Sequence, residues 1–149
     1  MQKLSFTWLG HATFVFRTPG GKRIIMDPWV STNPVCPESA KHVGALDLML
    51  ITHGHGDHTA DAVSIGRSSG AQVVAPFELA VWLQKKGLQH VTGMNPGGTL
   101  HMLGLSITMV PAVHSSSVED GSDVVYTGIA TGYVIKFEDG TTIYFAGDT

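Results

Sequence analysis

A layered α/β domain is the fold class the sequence predicts, and three observations carry it. Short stretches that alternate polar and apolar residues are joined by glycine-bearing turns, the pattern of antiparallel hairpins. The apolar run at residues 46–51, bounded by turn signals, fits a strand covered on both faces, and helical spacing follows it. Charged residues make up only 14% of the chain against 43% hydrophobic, short of the ~25% charged that is usual, which fits a large internal core.

In order, residues 3–9 alternate, with Leu4, Phe6 and Trp8 on one face, and predict a half-buried strand. Gly10-His11 interrupts it. Residues 13–17 form a second strand, Thr18-Pro19-Gly20-Gly21 a hairpin turn, and residues 22–26 a third strand ending at Asp27-Pro28. An antiparallel meander therefore opens the domain. Residues 28–44 lack a clear period and read as a loop with room for a short helical turn. The buried strand at 46–51 delivers Thr52 at its C-terminal end, where layered α/β sheets bind ligands. Residues 58–69 follow with loosely helical spacing, Asp61 as a cap and Gly70 as the stop. Residues 72–75 make a short strand. Pro76 then starts a second helix, with Phe77, Ala80, Val81, Leu83 and Leu88 on its apolar side and Gly87 as its end. Residues 90–92 are a further strand, 94–98 a turn, and 99–103 with 105–111 a hairpin about Gly104. Residues 118–128 are polar and read as a surface loop beside the site. Residues 132–137 and 141–146 pair across Glu138-Asp139-Gly140, with Asp-Gly in the type I′ place. The hairpins at 13–26 and 133–146 each end in an aspartate, Asp27 and Asp148, as a duplicated half-domain would leave them.

The stretch Thr52-His53-Gly54-His55-Gly56-Asp57-His58-Thr59 packs three histidines and one carboxylate into six consecutive positions. Neutral imidazole is the commonest protein ligand for transition metals, and a carboxylate completes a borderline-hard donor set. In extended chain His53 and His55 point the same way. Gly54 and Gly56 let the backbone turn, and Asp57 and His58 fall beyond the turn, displaced from the first pair. One loop thus addresses two metal positions, the first half of a two-metal hydrolytic site. His114 and Asp148 each close an apolar strand, as His53 does, and a buried polar group at a strand mouth needs a partner. The plain alternatives are a His-rich surface loop, a solitary loop histidine at 114 and a capping aspartate at 148.

His53-Gly54-His55-Gly56-Asp57-His58, with His114 and then Gly147-Asp148-Thr149, resembles the metallo-β-lactamase-fold hydrolases. Trp8-Leu9-Gly10-His11-Ala12-Thr13-Phe14 and Ile25-Met26-Asp27-Pro28-Trp29 are similar to the openings of one branch, the uncharacterised metal-dependent hydrolases near the L-ascorbate-6-phosphate lactonase-like proteins. The resemblance covers residues 3–149. It implies a four-layer αββα sandwich of two similar halves and a pair of divalent ions, usually zinc, with manganese or iron in some members. It implies that His53, His55 and His114 hold the first ion, Asp57 and His58 the second, and Asp148 both. A water or hydroxide between the ions would be the nucleophile, with Asp57 orienting it. His11 is expected at the pocket rim as a substrate contact or proton carrier, and Asp27 behind the ligands. Turn-capping and strand-end roles are the structural readings of those two. The family continues for further strands and helices and supplies a last histidine to the second ion. The expectation is therefore that residues 1–149 are a C-terminally truncated domain holding the N-terminal half and the first hairpin of the second. A second polypeptide, the C-terminal remainder, would complete it, and the isolated piece would expose apolar surface and associate.

The formal charge of −3, from nine Lys+Arg against twelve Asp+Glu, offers no general attraction to nucleic acid or an anionic membrane. The single cysteine, Cys36, rules out an intrachain disulfide and points to a reducing, cytoplasmic compartment. The reading is a hydrolase of a small-molecule ester, lactone or phosphoester. A nucleic-acid phosphodiesterase of the same superfamily and a non-catalytic metal-binding protein are the competing readings.

Overall fold

Two β-sheets face each other across an apolar layer, and helices cover the outer side of the first. The computed structural model describes residues 2–149. The first sheet runs β1 (Ser5–Trp8), β2 (Phe14–Arg17), β3 (Arg23–Met26), β4 (Leu48–Leu50), β5 (Gln72–Pro76) and β6 (Val91–Met94) in spatial order. Its first three strands are antiparallel, as a meander requires. From β3 onward the pairing is parallel. Parallel neighbours need a crossover, and helices α1 (Gly56–Thr59), α2 (Ala62–Ser69) and α3 (Phe77–Lys85) provide two of them. The chain then makes β7 (Thr99–Met102), β8 (Leu105–Pro111), a separate ribbon of β9 (Ser117–Asp120) and β10 (Asp123–Tyr126), and finally β11 (Thr131–Lys136) and β12 (Thr142–Phe145). The second sheet is antiparallel in the order β12-β11-β8-β7.

Alternation along the strands sorts the side chains into two cores. Ile24, Met26, Leu48, Leu50 and Val74 point inward and meet Ile107, Met109, Tyr133 and Ile135 of the second sheet. Their neighbours Ile25, Met49, Ile51, Val73 and Ala75 point outward and meet Ala62, Leu79 and Leu83 of the helices. The middle of the first sheet is thus apolar on both faces, which is why residues 46–51 carry no polar alternation within the strand proper. Tyr133 is fully buried and donates its hydroxyl to the Ile51 carbonyl at 2.7 Å, so its polar group in the inter-sheet layer is satisfied. Helices, first sheet and second sheet form three of the four expected layers. Among the described residues no helix is long and apolar enough to cross a membrane.

Several expectations are corrected. Strand β1 lies at the sheet edge, and Phe6 and Trp8 are 64% and 55% exposed rather than half-buried. The segment 58–69 is two helices. Asp61 breaks it, because its backbone N–H donates to the Pro28 carbonyl and its Oδ2 accepts from the N–H groups of Val30 and Ser31 at 2.7 and 2.9 Å. The carboxylate anchors the 28–44 loop and makes no side-chain cap. On α3 the buried stripe is Leu79, Ala80 and Leu83, while Phe77 at its first turn is exposed. Residues 118–128 hold the β9–β10 ribbon, not a loop. Val118 is buried, and Asp120 accepts from Trp82 Nε1 at 3.0 Å and Lys86 Nζ at 2.6 Å, pinning the ribbon to α3. The Glu138-Asp139-Gly140 turn is not type I′, since only Gly140 has positive φ. It matches the Thr18–Gly21 turn: a 3.0 or 2.9 Å bond closes each, followed by a left-handed glycine. The type I′ pair of positive φ values sits instead at Leu103 and Gly104, 53° and 82°.

Ile107 is fully buried in the inter-sheet layer, so Ile107→Ala is expected to cost about 2–5 kcal/mol in urea denaturation. Lys136→Ala, on the same sheet but exposed, is expected within about 0.5 kcal/mol of the parent. Equal effects would contradict this packing.

Candidate metal centre

The site begins with a buried carboxylate. Asp27 follows β3 with a left-handed φ of 43° and no solvent exposure. Its Oδ1 accepts the Thr52 N–H at 2.7 Å, and its Oδ2 accepts the Thr52 hydroxyl at 2.7 Å and His58 Nδ1 at 2.8 Å. Burial pushes the Asp27 carboxyl upward, while the contacts with His58 and Thr52 pull it back. The Thr52 hydroxyl spends its proton on Asp27, so toward His53 Nδ1, 2.9 Å away, it is an acceptor. Both His53 and His58 therefore carry a proton on Nδ1, and in the neutral ring it is Nε2 that holds the lone pair, the two Nε2 atoms facing the same space. Burial, with the neighbouring imidazoles of His58 and His55, lowers the His53 pKa to about 3, so this ring is neutral at any physiological pH. For His58 burial lowers and the Asp27 hydrogen bond and charge raise, and the net shift is upward.

Around these lone pairs the other predicted residues converge. His53 Nε2 is 3.1 Å from His55 Nδ1, which is 3.2 Å from His114 Nε2. His58 Nε2 is 3.1 Å from His11 Nε2, which is 3.2 Å from Asp57 Oδ2. Asp148 Oδ2 stands between the two sets, 3.3 Å from His58 Nε2 and 3.7 Å from His114 Nε2. Three groups result, His53–His55–His114, His11–Asp57–His58 and His53–His58–Asp148, each with its ligand atoms within 4.8 Å of one another. Donors bound to a zinc ion at tetrahedral angles lie about 3.3–3.5 Å apart. The separations found bracket that value, and neutral imidazole with carboxylate suits zinc, manganese or iron. The residues fit the ions that the resemblance implies.

Local sequence explains the placement. His53 and His55 leave the end of β4, and α1 turns Asp57 and His58 back over them. A Cβ at Gly54 would lie 2.3 Å from Thr127 Oγ1 and 2.8 Å from the Ser117 carbonyl, so glycine is required there. The Gly54 N–H donates to Ser116 Oγ at 3.1 Å, which also meets Thr127 Oγ1 at 2.9 Å. His114 follows β8 and Asp148 follows β12. Thr131 donates both its N–H, at 3.1 Å, and its hydroxyl, at 2.8 Å, to the Thr52 carbonyl, locking the second sheet to the first beside the site. His11, expected at the rim, is exposed, with its Nε2 turned toward His58 and Asp57. Asp27 unites its two expected roles, a strand end and a support behind a histidine. The sequence names Thr52 only as the strand's last delivery and assigns no role to it, to Ser116 or to Thr131. The only signal for them is a hydroxyl residue beside each ligand-bearing strand end. Beside His114 an open cleft is lined by Ser115, Ser116, Val124, Tyr126 and Ile129.

Residues 22–149 match the family described as the beta-lactamase superfamily domain. The chain is 54% identical over its full length to a protein of Koribacter versatilis named a UPF0173 metal-dependent hydrolase, and spans 64% of it. It is 48% identical to one of the same name from Rubrobacter xylanophilus, with 96% of this chain and 60% of that protein covered. A solved structure, described as the novel metallo hydrolase Igni18 of Ignicoccus hospitalis, superposes with a TM-score of 0.81 at 36% identity, covering 98% of this chain and 61% of that one. The chain thus spans less than two thirds of the curated relatives it matches.

If Asp27 fixes the protonation of both supporting rings, Asp27→Asn is expected to weaken zinc binding about 10–100-fold. Competition against a chelating dye measures it. Affinity equal to the parent's would contradict the role given to this carboxylate.

Proposed function

The chain belongs to the beta-lactamase superfamily domain family, and on that premise we propose that it carries the site of a dinuclear metal-dependent hydrolase acting on an ester, lactone or phosphoester of a small molecule. His53, His55 and His114 hold one ion, Asp57 and His58 contribute to the other, and Asp148 serves both. The observation that carries this reading is the convergence of these donors, from the ends of β4, β8 and β12 and from α1, at ligand-to-ligand spacing. Zinc is the ion the imidazole-rich set favours, with manganese or iron as alternatives. Bound divalent ions supply Lewis acidity and draw the pKa of a water toward ~7.

The chain's own residues then divide the remaining work. Asp57, with its side chain 44% exposed beside His11, is placed to accept a hydrogen bond from an incoming water and orient it. His11 flanks that water from the β1–β2 loop. Substrate enters by the cleft at His114, whose apolar wall of Val124, Tyr126 and Ile129 suits an uncharged acyl or ring portion. The nucleic-acid reading is disfavoured by the net charge of −3. A cytoplasmic location is part of the proposal, supported by the single cysteine. So is further polypeptide, either the remainder of the fold or another copy, over the exposed apolar groove of Phe6, Phe14, Tyr144 and Phe145.

The test is metal analysis together with hydrolysis of p-nitrophenyl esters and bis-phosphoesters. Turnover is expected to vanish on chelation and return with zinc, and His55→Ala is expected to lose both metal and turnover. Turnover that survives His55→Ala or complete metal removal would defeat the proposal.

A further inference from the structure

The β9–β10 ribbon stands beside the metal centre without contributing to any of its donor groups. We propose that this ribbon is the specificity element of the site. Its outer face, Tyr126 above all, receives an uncharged apolar arm of the substrate and turns away an anionic one. The inference deepens the dinuclear hydrolase reading and rests on it.

The ribbon has two unlike faces. Directly opposed residues of an antiparallel pair share a face. The register opposes Val125 to Val118, Tyr126 to Ser117 and Val124 to Glu119. Val118 is buried, and Val125 packs with it in the apolar cluster that includes Leu79 and Leu83 of α3. Tyr126 and Val124 look the other way and are 67% and 73% exposed. Gly128, at φ 85°, lets the chain turn, and Ile129 joins them along the same cleft. Single exposed apolar residues are ordinary, but three that line one cleft mark a binding surface. The cleft has a volume of about 380 Å³ and is also lined by His114 and Ser115. Small-molecule sites occupy about 300–1,000 Å³, and this one opens on a residue assigned to the first ion.

The ribbon is also held at both ends. At its root the N–H of Gly54, between His53 and His55, donates to Ser116 Oγ at 3.1 Å, and Ser116 Oγ lies 2.9 Å from Thr127 Oγ1. At its far end Asp120 accepts from Trp82 Nε1 at 3.0 Å and from Lys86 Nζ at 2.6 Å. A wall tied to the metal loop at one end and to α3 at the other keeps a fixed place beside the ions, as discrimination between substrates requires. Charge decides which arm fits. The bound ions draw charge to the reacting group itself. Along the arm, the ribbon offers Glu119, Asp120 and Asp123 and no Lys or Arg, and no Lys or Arg lines the cleft. An anionic arm would leave water for a place with carboxylates nearby and no cation to pair with. Methylene or ring carbon against Tyr126, Val124 and Ile129 gains by leaving water.

The experiment measures kcat/KM of the zinc-loaded chain on two probe series. One is p-nitrophenyl acetate, butyrate, hexanoate and hemisuccinate, and the other p-nitrophenyl phosphodiesters bearing a methyl or a phenyl group. In whichever series turns over, the larger apolar arm is expected to be favoured, by about two- to fourfold per methylene among the esters. Hemisuccinate is expected to lag butyrate by about tenfold. Tyr126→Ala is expected to flatten the apolar preference to within about twofold, the loss appearing in KM, and Tyr126→Phe to keep it. Asp120→Ala, which frees the far end of the ribbon outside the cleft, is expected to weaken the preference as well. Zinc content is expected to be equal in all of these chains. Turnover without an arm preference, or a preference that survives Tyr126→Ala, would overturn the inference and leave the dinuclear reading standing. A preference lost together with the zinc would overturn it too, since the ribbon would then support the ions and select nothing. Absence of metal-dependent turnover in both series would defeat the underlying reading, and the inference with it.

Discussion

Everything in this site leans on one carboxylate out of water. Asp27 is fully buried, yet three donors converge on it from Thr52 and His58. A buried carboxylate without such donors would be expensive. With them it becomes a rigid acceptor that joins the end of β3, the end of β4 and helix α1. The same bonds dictate protonation: the Thr52 N–H and hydroxyl and the His58 Nδ1–H all donate to Asp27, and His53 Nδ1–H donates to the Thr52 hydroxyl. Tautomer choice is usually left open in an imidazole cluster. Here hydrogen-bond bookkeeping over two residues decides it for the two most buried rings.

The fold's contribution is to bring strand ends together. Parallel β4 ends where its side chains leave the two-sided core, and the loop that follows is the first point at which polar groups can face solvent. The second sheet reaches that point from the opposite side through His114 and Asp148. Its position is set by the inter-sheet apolar layer and by two bonds from Thr131 to the Thr52 carbonyl. Thr52 therefore meets both sheets through its backbone and the imidazoles through its hydroxyl. Glycines at 54 and 147 admit close approach. A Cβ at Gly147 would fall 2.7 Å from the Thr131 carbonyl and 2.9 Å from Thr52 Cβ.

Much of this was legible in the sequence, for a physical reason. The spacing of His53, His55, Asp57 and His58 alone encodes two ligand directions, and His114 and Asp148 are polar residues where apolar strands stop. The meander, the buried parallel strand and the hairpin about Gly104 follow from short-range periodicity. The misses are tertiary. The exposure of Phe6 and Trp8 depends on β1 being an edge. The β9–β10 ribbon depends on Asp120 finding Trp82 on α3 and Lys86 just past its end. Asp61 matches a cap by spacing but is claimed by the backbone of Val30 and Ser31. Hydroxyl groups such as those of Thr52 and Ser116 give no periodic signal, since their value lies entirely in what they touch.

The central claim is that donors from both sheets enclose two cations. Anomalous diffraction at the metal edge from zinc-loaded crystals tests it most directly. The account predicts two peaks per chain about 3.5–4 Å apart, one among His53, His55 and His114 and one beside His58 and Asp57, with Asp148 between them. A single peak, or metal bound away from these side chains, would contradict it.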